Sequence, residues 1–235
     1  EITNNNIEDA FEKITLGLRT SRIASEKTKK LRAYNEVGRA IVAAVNNGID
    51  SIDKITILPR AGYIGGYTKI APDEDFISSG LLSKKILLSK VEIALGARAA
   101  EIVVFGKNEI TQYSTRDIAY STEIAKEMIT KYGFSVMGPI NMDQNKGDVF
   151  LGNSLLKNKS LIADKTNLKI DNEIINISKN SLSKAILIIK KNRTLLEKLV
   201  EALILEETID KDRFNEISSK FIKMWFNLIK YFYES

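Results

Sequence analysis

Arg32-Ala33-Tyr34-Asn35-Glu36-Val37-Gly38-Arg39-Ala40-Ile41-Val42 lies near the middle of a stretch running from about Ser25 to Asn46. Its apolar positions Leu31, Tyr34, Val37, Ile41, Val42 and Val45 recur at helical spacing. Asn46-Asn47-Gly48 supplies a stop signal, so the stretch reads as one long helix. On such a helix positions 35 and 39 share a face, and Glu36 stands beside them. Two histidines at that spacing bind zinc, and the adjacent glutamate activates the metal-bound water. Here the glutamate is present, but Asn35 and Arg39 fill both ligand positions. Taken alone, the pattern reads as a solvated polar patch on a helix.

Outward from this helix the chain is mainly helical. Ile7, Phe11, Ile14 and Leu18 give helical spacing over residues 6 to 20. Lys54 to Leu58 alternates in the manner of a strand and ends at Pro59, and Tyr67 to Ile70 reads as a second strand beyond the Gly62, Gly65 and Gly66 turn. One helix is expected from Ser83 to about Phe105-Gly106, and another from Ser114 to Lys131, closed by Gly133. Residues 134 to 160 read as irregular. Helices over Asp164 to Lys191, Thr194 to Glu206 and Lys211 to Phe232 complete the chain. The fold class is therefore mainly α with one small β-sheet.

Composition narrows the chemistry. The 235 residues include no cysteine and no histidine. Disulfides, thiolate catalysis, cysteine-bound zinc and both Ser-His-Asp and Cys-His nucleophilic sites are excluded. The net charge of +5 comes from 35 basic and 30 acidic residues that are interspersed rather than gathered in a stripe, so no nucleic-acid partner is expected. No phosphate loop of the G-x-x-x-x-G-K-[ST] type occurs. No apolar run approaches the ~18 residues that would span a bilayer. The chain opens Glu1-Ile2-Thr3 without a methionine and is expected to be part of a longer protein. Its abundance of Asn, Lys and Ile suits an AT-rich coding genome such as an organelle's.

The segment around Glu36 resembles the A-Y-H-E-x-G-H-A stretch of the FtsH peptidase family, and the resemblance continues in order. Lys54-Ile55-Thr56-Ile57-Leu58-Pro59-Arg60 is similar to the family's K-V-T-I-x-P-R, Gly65-Gly66-Tyr67-Thr68 to its L-G-x-T, and Pro72-Asp73-Glu74-Asp75 to its P-x-E-D. Gly96-Ala97-Arg98-Ala99-Ala100-Glu101 and Phe105-Gly106 follow its G-G-R-A-A-E and F-G. Met128 to Gly133 and Phe150-Leu151-Gly152 match later segments. The likeness covers about residues 6 to 210. It implies a zincin-like peptidase domain over residues 1–210; the C-terminus departs from the resemblance, and residues 211–235 read as an amphipathic helix extension.

The resemblance also implies a third zinc ligand, the aspartate of an S-N-D-L stretch, which falls on Asp117. Asp117 equally suits a helix start, where it stabilises the N-terminal dipole. Glu36 becomes the relic of a general base, and Asn35, Arg39 and Asp117 become a degenerate ligand set. An amide is a poor zinc ligand, and a guanidinium has no lone pair to donate. A unit positive charge ~4 Å from a divalent ion costs about 8 kcal/mol at an effective dielectric near ~20. No metal is therefore expected in this domain, and Arg39 is expected to take over the ion's electrostatic role by pairing with Asp117, Glu36 or both. The alternative is an active zinc metalloendopeptidase with atypical ligands. Zinc belongs to active relatives, and ATP with magnesium to an AAA domain outside this chain. The resemblance further implies a homo- or hetero-hexamer of FtsH-like subunits acting on unfolded proteins. Membrane helices preceding this chain would hold the assembly in a plastid membrane, with this domain on the stromal side.

At the C-terminus Ile217, Phe221, Met224, Trp225, Leu228 and Phe232 form an apolar helical face. Packing on the domain itself, a partner-subunit contact and membrane-surface binding are its three readings.

Overall fold

A computed structural model describes residues 25–48, 51–59, 65–71, 79–142 and 163–219, with residues 10, 13, 14, 17 and 221 besides. Most of the helix expected over residues 6 to 20, the Pro72 to Asp75 loop, the Phe150 to Gly152 match and most of the final helix lie outside them.

Helix α1, Glu26–Asn47, is the central element. Ser25 caps it, its hydroxyl accepting from the Thr28 amide at 3.2 Å. From Arg32 to Ala44 nearly every side chain is buried, including Ala33, Tyr34, Val37, Ile41 and Val42. A helix buried almost all round needs neighbours on every side. Strands β1, Ile52–Thr56, and β2, Tyr67–Ile70, cover part of one side. Helices α2, Lys84–Ala94, and α3, Gly96–Val104, cross it on another. Helices α4, Thr115–Thr130, α5, Asp164–Lys191, and α6, Arg193–Glu206, close the bundle.

The strand after α6, β3, Thr208–Asp210, completes an antiparallel sheet of order β2-β1-β3. Ile55 pairs with Thr68 on one side and with Ile209 on the other. Two short strands were expected and a third is found. The strand expected over Lys54 to Leu58 begins and ends two residues earlier, because the Ile57 amide turns to the Glu207 carbonyl at 3.1 Å beyond the end of the ladder.

The single helix expected from Ser83 to Phe105 is two. The chain breaks at Leu95, where Gly96 comes against α1. A Cβ placed on Gly96 would lie 3.0 Å from the Arg39 Cα and from the Gly38 carbonyl oxygen. One placed on Gly38 would lie 2.5 Å from the Ala100 Cβ. The two glycines let α1 and α3 approach backbone to backbone, and this crossing sets Glu101 beside Asn35.

Two apolar clusters hold the elements together. The larger joins α1, β1, β3 and α6 through Val37, Ile41, Ile55, Leu196, Leu199 and Ile209. The smaller joins α2 and α4 through Leu87, Val91, Leu95, Ile124 and Met128. Helix α5 reaches both, with Ala185 and Ile189 in the first and Ile177 packed against the second. Residues 211–219 are helical. Phe214 is fully buried in the larger cluster, and Ile217 and Phe221 pack against it. Met224, Trp225, Leu228 and Phe232 lie outside the described residues. Among the described residues no helix is long and apolar enough to cross a membrane.

Candidate functional site

The polar face of α1 carries Asn35, Glu36 and Arg39 into the protein rather than into solvent. Asn35 and Glu36 are fully buried. Helix α4 brings Asp117 from its first turn to meet them. The Arg39 guanidinium bridges the two carboxylates: Nη1 donates to Glu36 Oε2 at 2.8 Å, and Nη2 donates to Asp117 Oδ2 at 2.5 Å. The polar-patch reading of this segment is thus set aside, because the patch is interior.

Three further residues, to which the sequence reading gave no role, complete the site. Thr68 on β2 donates its hydroxyl to Glu36 Oε2 at 2.8 Å and lies 3.1 Å from the Glu36 carbonyl oxygen. The Tyr113 hydroxyl donates to Glu36 Oε1 at 2.9 Å. Glu101 on α3 accepts from Asn35 Nδ2 at 3.1 Å, and Asn35 also donates to the Leu31 carbonyl at 2.9 Å. Thr68 and Glu101 stood within the family-like segments, which signalled a shared fold but not a partner. Tyr113 carried no signal of its own.

Burial governs the electrostatics. It pushes the Glu36 carboxyl above its ordinary value, against the opposing pull of Arg39 and of the hydrogen bonds from Thr68 and Tyr113. Burial also acts to lower Arg39, but the Glu36 and Asp117 carboxylates more than offset it, so the guanidinium is held in its charged form. Burial and the neighbouring Glu36 together push the Tyr113 phenol well above its usual range. The site is an internal ion pair with a permanent cation at its centre.

The sequence profile of peptidase family M41 matches residues 22–217. This chain belongs to peptidase family M41. Within that family it is an FtsH-type peptidase domain. Proteins named ATP-dependent zinc metalloprotease FtsH from Trieres chinensis and Cyanidium caldarium are 37% and 36% identical over 94% and 92% of the chain. One named ATP-dependent zinc metalloprotease FtsH 3 from Synechocystis sp. is 35% identical over 90%. Each match covers 34% of the relative, so the chain spans about a third of the length of these relatives.

The names of these M41 relatives specify zinc, and the residues of this chain do not fit it. The Asn35 amide nitrogen is committed to Leu31 and Glu101. Its carbonyl oxygen faces the Ser114 hydroxyl at 3.5 Å. The Arg39 guanidinium lies between the Glu36 and Asp117 carboxylates, and it offers donors only. An ion there would displace the Arg39 cation from both of its carboxylate partners and find no imidazole to replace them.

Proposed function

We propose that this chain is the degenerate peptidase domain of an FtsH-like, ATP-dependent membrane protease, unable to hold a catalytic zinc. It serves as an oligomerisation platform and chamber wall of a hexameric AAA unfoldase, protease or translocation motor. What supports this is the Arg39 guanidinium, paired with the relic base Glu36 and with Asp117. A general base without an activated water has no reaction to serve. The hexamer, the unfolded-protein substrates and the plastid membrane come from the FtsH resemblance and the composition. ATP hydrolysis belongs to the AAA part.

The competing reading is an active metalloendopeptidase with substitute ligands. The printed names of the relatives favour it, since each is a zinc metalloprotease. Casein hydrolysis by the full-length assembly discriminates. The proposal expects no chelator-sensitive cleavage by the unmodified protein. Cleavage that a chelator abolishes would establish the competing reading.

A further inference from the structure

We propose that Tyr113 is a second lock on Glu36, closing the carboxyl oxygen that Arg39 leaves free. The inference deepens the proposed loss of peptidase chemistry, but its geometric basis stands apart from zinc. Glu36 Oε2 receives both Arg39 and Thr68, while Oε1 receives Tyr113. The Glu36 side chain is 1% exposed. A general base must present an oxygen to a water or a substrate proton. Here both oxygens are taken by protein donors.

The two locks come from different parts of the fold. Arg39 lies one turn along α1 from Glu36. Tyr113 lies in the short 3-10 turn, Gln112–Ser114, that precedes α4. Thr111 caps that turn, its Oγ1 accepting from the Tyr113 amide at 3.2 Å. Thr111 is in turn fastened to Glu101, its hydroxyl donating at 2.6 Å and its amide at 3.0 Å. Tyr113 is therefore positioned by the Glu101 network and not by Arg39. The hydroxyl end of Tyr113 also sits directly on the Gly65 backbone, where a Cβ would collide with it. A glycine before β2 opens the crevice, and the phenol fills it.

Two consequences follow. Removing Arg39 alone leaves Glu36 shielded, and restoring histidines at 35 and 39 alone leaves the base engaged. The first is tested on the full chain by carbodiimide-driven amidation of Glu36 with a small amine, read by peptide mass. Arg39→Ala and Tyr113→Ala singly are expected to stay as unreactive as the unmodified protein. The double variant is expected to react about tenfold faster or more, the scale of one hydrogen bond to a charged group. Thermal melts check that each variant is folded. If the alanine variants do not fold, Arg39→Gln and Tyr113→Phe, singly and combined, take their place. Full reactivity in the Arg39 variant alone overturns the proposal.

The second test compares Asn35→His/Arg39→His with the same pair carrying Tyr113→Ala. Zinc-dependent hydrolysis of a short peptide is expected only in the triple variant, and equal hydrolysis without the Tyr113 change overturns the lock. Zinc binding by the unmodified chain would instead refute the proposed loss of the metal, and the amidation result would still decide the role of Tyr113.

Discussion

Two fully buried carboxyl groups, Glu36 on α1 and Glu101 on α3, are held in different ways. Glu101 is bound by its own neighbourhood: Arg98 three residues back, with its Nε at 3.6 Å, and Thr111 ten residues on. Among the described residues Asn35 is its distant partner. Glu36 is bound by residues remote in sequence, Thr68 and Tyr113, and by Arg39, whose other end reaches Asp117. The first cluster fastens the loop after α3 onto α1 and is architecture. The second ties α1, β2 and α4 at one point through the Arg39 guanidinium and the Thr68 hydroxyl. One buried carboxyl is thus secured mainly by its own segment, and the other by a junction of elements distant in the chain.

Substitutions separate the two clusters. Glu101→Ala is expected to cost the most, about 4 kcal/mol in urea denaturation, because it takes the acceptor from the Thr111 amide and hydroxyl and removes one partner each from Asn35 and Arg98. A cost below that of any change at Glu36 would show that the Glu101 cluster is not the structural one. Arg39→Ala comes next, at about 3 kcal/mol, since it leaves a buried carboxyl without its cation. Combining it with Glu36→Gln is expected to cost less than the sum by about 1–3 kcal/mol in a double-mutant cycle. Additive losses would deny that the two side chains act as a pair. Thr68→Val removes one donor from Glu36 and is expected to cost about 1 kcal/mol.

The smallest effect concerns Tyr34, which faces the opposite side of α1. Its hydroxyl donates to Glu197 Oε2 at 2.5 Å, and its ring meets Phe105 edge-on at 5.4 Å. Burial first, and Glu197 second, push the phenol from 10.0 up to about 12. A pKa raised by folding contributes stability that is whole below pH 10.0 and is lost as the pH rises through about 12. The melting temperature of the unmodified chain should therefore fall more steeply over that window than that of Tyr34→Phe. Parallel curves would show that Tyr34 titrates alike in the folded and unfolded chain.

How much of this was legible in the sequence follows from the range of each interaction. Helix α1 was readable because its caps and its apolar spacing are local: Ser25 and Gly48 bound it much as expected. The run Asp164–Lys191 and the strand Tyr67–Ile70 were readable for the same reason. That Asn35 and Arg39 share a face was readable because a helix fixes it, while their reading as former ligand positions came from the family resemblance. Strand β3 was not visible. Its three residues are too few to carry a period, and they follow Glu207, whose φ of 59° turns the chain out of α6. The break at Leu95 was hidden because its cause is the Gly38–Gly96 contact between helices far apart in the chain. The same holds for Thr68, Tyr113 and Glu101. No local pattern announces a donor whose acceptor lies tens of residues away.

The central claim is that a permanent cation occupies the place where such enzymes keep their metal. The most direct test is to equilibrate the unmodified chain with micromolar zinc, dialyse it, and count bound ions by elemental analysis. Far less than one zinc per chain is expected, rising toward one only when histidines replace Asn35 and Arg39. One tightly held zinc per unmodified chain would contradict it.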